Sequence, residues 1–120
     1  MDSKMGLIDA EIRCDLRGWV KIMKVNKDYL LIFTKKGCKR GGEIHVGWQY
    51  NVLIEGQAYW TIGNEKILYK APALILTPPH MPHMMESITD TLILEWRQYP
   101  LEDPVNYYEP FRKIILGKKK

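Results

Sequence analysis

Short apolar runs separated by turn residues set the pattern of this chain. Val20–Val25 follows the turn-prone Arg17–Gly18 pair, and a turn at Asn26–Asp28 leads into the nearly all-apolar Tyr29–Thr34. Gly37 and the Gly41–Gly42 pair interrupt the next stretch. Then come Trp48–Ile54, Tyr59–Ile62 beyond Gly56, a turn at Gly63–Asn64, Ile67–Tyr69, Ala73–Leu76 and Thr91–Trp96. Short, regularly spaced runs rich in Val, Ile, Leu, Tyr and Trp predict strands of a sandwich or barrel. No helical face of about 11 residues precedes position 100. Pro100, Pro104 and Pro110 divide the rest of the chain, so Leu101–Tyr108 is expected to hold one helical turn at most. The expected organisation is one all-β domain over 1–120, with its core motifs in 35–98 and an irregular C-terminal arm over 99–120.

Side chains alternate across a strand with a period of two. If Glu43 and His45 share a face, Gly47, Gln49, Asn51 and Leu53 lie on it too. Ile44, Val46, Trp48, Tyr50, Val52 and Ile54 then make the opposite face continuously apolar. A polar inner face is tolerated where it lines a ligand cavity, because each buried unpaired polar group costs about 1–3 kcal/mol. The apolar outer face needs a cover, either a packed arm or a second subunit, since a bare one would be an unusually large exposed patch. This predicts a homodimer.

Composition narrows the class. The chain has 120 residues, 46% apolar and 27% charged, which suits one globular domain. No apolar run approaches membrane-spanning length, and the acidic start MDSKMGLIDAEIR does not read as a secretion signal. A cytoplasmic location is expected. Cys14 and Cys38 are the only cysteines, with no metal-ligand spacing, and are expected to be reduced thiols. The net charge of +4 includes Lys118, Lys119 and Lys120, which read as a solvated tail. Nucleic acid would ask for a denser basic stripe, so a small-molecule ligand is expected instead.

The three histidines fall in two compact pieces, KKGCKRGGEIHVGWQYNVLIEG and APALILTPPHMPHMMES. Together they resemble the paired motifs of the cupin superfamily. In the first, Gly37 is followed after five residues by Glu43, then by His45, by Gln49 after three more and by Gly56 after six more. Glu43 stands in the place of the motif's first histidine and Gln49 in the place of its glutamate. In the second, Pro72 takes the opening glycine place and Pro78 the proline. His80 stands at the second glycine, His83 matches the histidine, and Ser87 takes the asparagine place. The resemblance implies a cupin double-stranded β-helix, or jelly roll, with His45 and His83 facing one cavity.

A closer resemblance is to the nucleotide-sugar cupins, the dTDP-4-dehydrorhamnose 3,5-epimerases and the dTDP-4-keto-6-deoxyhexose 3,4-ketoisomerases. It rests on Asp15-Leu16-Arg17-Gly18-Trp19, on Arg40-Gly41-Gly42-Glu43-Ile44-His45, on the PPHMPH turn with the SITDT just after it, and on NYYEPFRK. The family's base is a histidine at the place of Glu43. Its acid tyrosine falls at Trp96, with Tyr99 close by. The resemblance implies a sugar or nucleotide-sugar ligand and keto-sugar isomerisation or epimerisation. Glu43 would be the base if burial raised its pKa, and His45 or His83 would donate to the oxygen. Arg17 or Arg40 would pair with a diphosphate. Gln49, Tyr59, Trp60, His80, Trp96 and Tyr99 complete the candidate substrate contacts.

Two other readings stand beside it. Glu43, His45 and His83 form a two-histidine, one-carboxylate set, with Gln49 as a weaker fourth donor and His80 as a substitute, able to hold iron, manganese, nickel or zinc. The chain would then be a metal-dependent cupin of oxygenase or isomerase type. The same cavity without a competent base would make a sugar-binding or regulatory module.

Overall fold

The computed structural model describes residues 9–24, 27–100 and 106–117. Residues 1–8, Val25, Asn26, positions 101–105 of the expected Leu101–Tyr108 turn and the Lys118–Lys120 tail lie outside them. The described residues form ten strands and one helix. They are β1 (Asp9–Asp15), β2 (Gly18–Lys24), β3 (Asp28–Thr34), β4 (Lys39–Glu43), β5 (Gln49–Glu55), β6 (Gln57–Ile62), β7 (Glu65–Lys70), β8 (Ala73–Thr77), β9 (His83–Ser87), β10 (Thr91–Arg97) and α1 (Glu109–Ile115). All the expected apolar runs are strands. β1, β4 and β9 are additional. Their sequences, DAEIRCD, KRGGE and HMMES, carry charges and glycines that hide a strand from a hydrophobicity reading.

The strands make two antiparallel sheets, ordered β1-β2-β3-β10-β5-β8 and β4-β9-β6-β7, in a jelly-roll arrangement. Ile32, Leu53, Ile75 and Ile93 from the first sheet meet Ala58, Trp60 and Met85 from the second, and these seven form the core cluster. Alternation on β5 runs as the sequence implies. Gln49, Asn51 and Leu53 are buried, while Tyr50, Val52 and Ile54 face out. The polar pair therefore sits at one end of the inner face and the apolar core at the other.

The C-terminal segment is not an irregular arm. α1 begins with Pro110 in its first turn, where a missing N–H costs nothing. Glu109 at its start and Arg112 and Lys113 near its end suit the helix dipole. The preceding residues are tied to β4 by Ile44 N donating to Asn106 O at 2.9 Å and Tyr108 N donating to Gly42 O at 2.8 Å. Gly42 has φ +72°, and a Cβ there would lie 2.6 Å from Arg112 Cδ. This glycine lets the helix approach the strand.

Because α1 packs on β4, it does not cover the outer face of the larger sheet. Across that face Leu76, Tyr50 and Trp96 lie in one register row, and Leu74, Val52 and Leu94 in the next. Leu74 is 58% exposed and Leu76 46%.

Candidate metal centre

Glu43 is the last residue of β4, and its register partner on β9 is His83. His45 lies two residues beyond Glu43, in the loop between β4 and β5. That loop is held by His80 N donating to His45 O at 2.7 Å. His80 adopts φ 63° to make the turn, and its own side chain is exposed. Its part here is to position His45 through the backbone.

One potential donor atom from each of Glu43, His45 and His83 lies within 4.8 Å of the others. His45 Nε2 stands 3.1 Å from Glu43 Oε1, and the two imidazole centroids are 5.1 Å apart. His45 and His83 are 5% and 3% exposed. Two donors at about 2.1 Å from a metal ion and at right angles stand roughly 3.0 Å from each other, so the Glu43–His45 spacing fits a shared ion. His83 Nδ1 is 3.1 Å from the Met81 carbonyl, which only accepts, so Nδ1 carries the proton and Nε2 keeps the lone pair. Burial holds His83 below the ordinary imidazole value, against the bond to Met81 that favours its charged form. A neutral ring is the state that binds a metal.

The condition set for Glu43 as a base, a pKa raised by burial, is not met. Burial pushes its carboxyl up, but the hydrogen-bonding contact with His45 and the charge of Arg97 outweigh it, and Glu43 stays below the ordinary carboxylate value. Arg97 Nη2 lies 3.4 Å from Glu43 Oε1 and 2.8 Å from Glu95 Oε2. A buried chain continues from there. Asn51 Nδ2 donates to Glu95 Oε1 at 2.9 Å, and Gln49 Nε2 donates to Asn51 Oδ1 at 2.8 Å. Gln49 Oε1 is buried with no hydrogen-bond partner among the described residues.

Glu43, His83, Gln49, Asn51, Glu95 and Arg97 open on a cavity of about 210 Å³, whose wall also includes Arg17, Arg40, Trp60, Tyr107 and Arg112. His45, expected to face the same cavity, touches Glu43 and His83 but borders a separate cleft beside Val46 and Tyr99. Tyr59, adjacent to Trp60, points the other way and lies beneath Lys66 Nζ, 4.6 Å from its ring centroid. Trp96 stacks on Tyr50 at 5.4 Å on the outer face. Tyr99 stands against Gly47, where a Cβ would meet its ring at 2.6 Å, and it does not line this cavity. The structure thus gathers Glu43, His45, His83, Gln49, Arg17, Arg40 and Trp60 around one site, and places the side chains of Tyr59, His80, Trp96 and Tyr99 elsewhere. Asn51, Glu95, Arg97, Tyr107 and Arg112 were not singled out from sequence. Glu95 and Arg97 had a signal, since alternation along TLILEWR puts them on the face of Thr91 and Ile93.

No family model matches the sequence, and no curated protein does. Solved structures do match. The capsular polysaccharide assembling protein CapF from Staphylococcus aureus superposes with a TM-score of 0.70 at 16% identity, over 82% of this chain and 32% of that one. The chain thus spans about a third of that protein's length. HppE in its Fe(II) form matches with a TM-score of 0.61 at 13% identity, over 74% of this chain and 56% of that one. A variant of salicylate 1,2-dioxygenase from Pseudoaminobacter salicylatoxidans matches with a TM-score of 0.56 at 13% identity, over 58% and 21%. All three have the cupin fold, and this chain shares it.

Proposed function

We propose that this protein is a metal-dependent cupin whose divalent ion is held by Glu43, His45 and His83, with Gln49 as a further donor from the cavity wall. The observation that carries the reading is the convergence of three donor atoms within 4.8 Å in a buried pocket. A two-histidine, one-carboxylate set suits ferrous iron first, and one of the matching cupins is described in its Fe(II) form. Manganese, nickel and zinc accept the same donors.

A bound ion of this kind supplies Lewis acidity and, if it is iron, access to oxygen chemistry. The chain's own residues prepare the place. Arg97 keeps Glu43 ionised, so its carboxylate is available at neutral pH. The Met81 carbonyl fixes the His83 tautomer. Ile32, Trp60, Met85 and Ile93 make the wall beyond the polar end apolar and limit water there.

Protein purified without chelator should carry close to one equivalent of metal, measured by elemental analysis. His83→Ala should lose it. Glu43→Gln should lower affinity by about 100-fold or more, judged against the 10–100-fold typical of losing an outer-shell partner. Metal-free wild type should melt at higher temperature when ferrous ion is restored. Wild-type protein that neither carries nor responds to a divalent ion would favour the sugar-binding or regulatory module.

A second reading is supported by the likeness to a capsular polysaccharide protein. Glu43 would remove a proton beside the carbonyl of a keto-sugar, with His45 or His83 donating to the oxygen. Its depressed pKa makes Glu43 a weak base, so this reading ranks second. Exchange of substrate hydrogen with deuterated water, in chelated protein and abolished by Glu43→Gln, would put it first.

We also infer a homodimer. The rows Leu76–Tyr50–Trp96 and Leu74–Val52–Leu94 make a continuous apolar surface, and the helix that could have covered it lies on the other sheet. A second copy meeting the same face is the cover the pattern asks for.

A further inference from the structure

The cavity that holds the proposed metal centre is lined by four arginines, Arg17, Arg40, Arg97 and Arg112, but by only two acids, Glu43 and Glu95. Both acids belong to Arg97. Arg112 Nη1 donates to Gly41 O at 2.8 Å, and its guanidinium lies 4.3 Å from the Tyr107 ring centroid. Arg17 is held at the rim by Asp15, with Nε 3.0 Å from Oδ2. Arg40 is different. Its Nε donates to Thr34 Oγ1 at 2.7 Å and its Nη2 to Phe33 O at 3.1 Å, so both acceptors are neutral. These bonds fix the plane of the guanidinium, and no carboxylate among the described residues makes a direct ion pair with it; Asp15 and Glu95 act on its charge only from farther off. A partly buried cation in that state is costly unless an anion joins it. A rigid guanidinium fork is suited to bidentate pairing with an oxyanion.

The strand registers place this cation away from the metal end. Thr34, beside Arg40, is opposite Thr91 on β10, whereas Glu95 is opposite Leu30. Four residues of strand separate those levels, roughly 13 Å. Val20, Ile32, Met85 and Ile93 line the interval. The cavity therefore has a cationic pole, an apolar middle and a metal-ligating pole. Its volume of about 210 Å³ suits a small ligand that spans the two poles.

We propose that the ligand is a small organic oxyanion, a carboxylate or phosphate monoester. Its anionic head binds Arg40 with Arg17 at the rim, and an apolar segment carries the opposite end toward Glu43, His45 and His83. The identity of the far end rests on the metal-dependent reading. The cationic pole does not, because none of its residues belongs to the metal set.

The test is calorimetric titration of the full chain, chelated and then metal-loaded, with hexanoate, butyl phosphate and neutral hexanamide. In chelated protein at least one of the two anions should bind about ten- to hundredfold more tightly than the amide, the worth of a charge-assisted bond. Whichever anion gains identifies the head group. Arg40→Gln should erase that preference. Arg17→Gln, at a half-exposed rim position, should reduce it. Equal binding of all three probes to chelated wild type would overturn the proposal, as would an anion preference untouched by both variants. Because the comparison is made without metal, it stands or falls separately from the metal centre.

Discussion

Arg97 reaches across 54 positions of sequence to set its Nη2 3.4 Å from Glu43 Oε1, while the same nitrogen lies 2.8 Å from Glu95 Oε2. One guanidinium thereby serves two largely buried carboxylates. Arg97→Met would leave both without it. Removing one partner of a buried ion pair costs on the order of 3 kcal/mol. The loss should be largest at neutral pH and shrink as pH falls below 4.5 and the depressed Glu43 carboxyl takes up its proton. Urea unfolding of wild type and variant at pH 7 and pH 2.5 gives the comparison. An equal loss at both values would mean that Arg97 acts by packing alone.

The metal-free protein should lose stability on the acid side in two stages. His83 is held below its ordinary value of 6.5, so the unfolded chain takes up a proton there before the folded one does. The stability is complete above 6.5 and falls as pH drops toward the folded value. Glu43 is also depressed, below 4.5, and adds a second loss under that pH. Denaturant titrations from pH 8 to 2 in chelator should show both. His83→Asn, which can still donate to the Met81 carbonyl, should flatten the upper stage. An unchanged slope in that variant would remove His83 from the account.

Gly42 should tolerate no side chain. At φ +72°, with Arg112 Cδ 2.6 Å from a Cβ placed there, alanine strains the backbone and also pushes on α1. The backbone part alone is worth about 1–2 kcal/mol. Gly42→Ala should lower the melting temperature by several degrees and raise amide exchange in 109–115. A melting temperature matching wild type would show that the helix can move aside freely.

The outer apolar rows should behave as a contact. Leu74→Lys with Leu76→Lys changes two half-exposed positions outside the core. Light scattering should give a dimer for wild type and a monomer for the double variant, with the fold retained. A monomeric wild type would end the dimer reading.

Much of this was legible in the chain. Inner and outer faces of β5 came out of alternation, because a strand offers its side chains only two directions. The same rule separates Trp60 from Tyr59, and Glu95 and Arg97 from Trp96. Treating Tyr59, Trp60 and Trp96 together as ligand contacts set that rule aside. Glu43, His45 and His83 were legible from motif spacing. Arg97 as the partner of Glu43 was not, since their pairing depends on how two sheets face one another. α1 was missed because it is only seven residues long and opens with a proline. A proline reads as a breaker inside a helix but as a starter in the first turn. Burial of Glu43 was legible, but its contact with His45 and the guanidinium of Arg97, which together outweigh that burial, depend on the folded geometry.

Tyr107 and Arg112 come after every other wall residue in chain order. Both lie on the segment that docks on β4 through backbone bonds at Ile44 and Tyr108. That side of the chamber is therefore walled by a piece of chain outside both sheets, whose shape can vary while the strand framework stays the same.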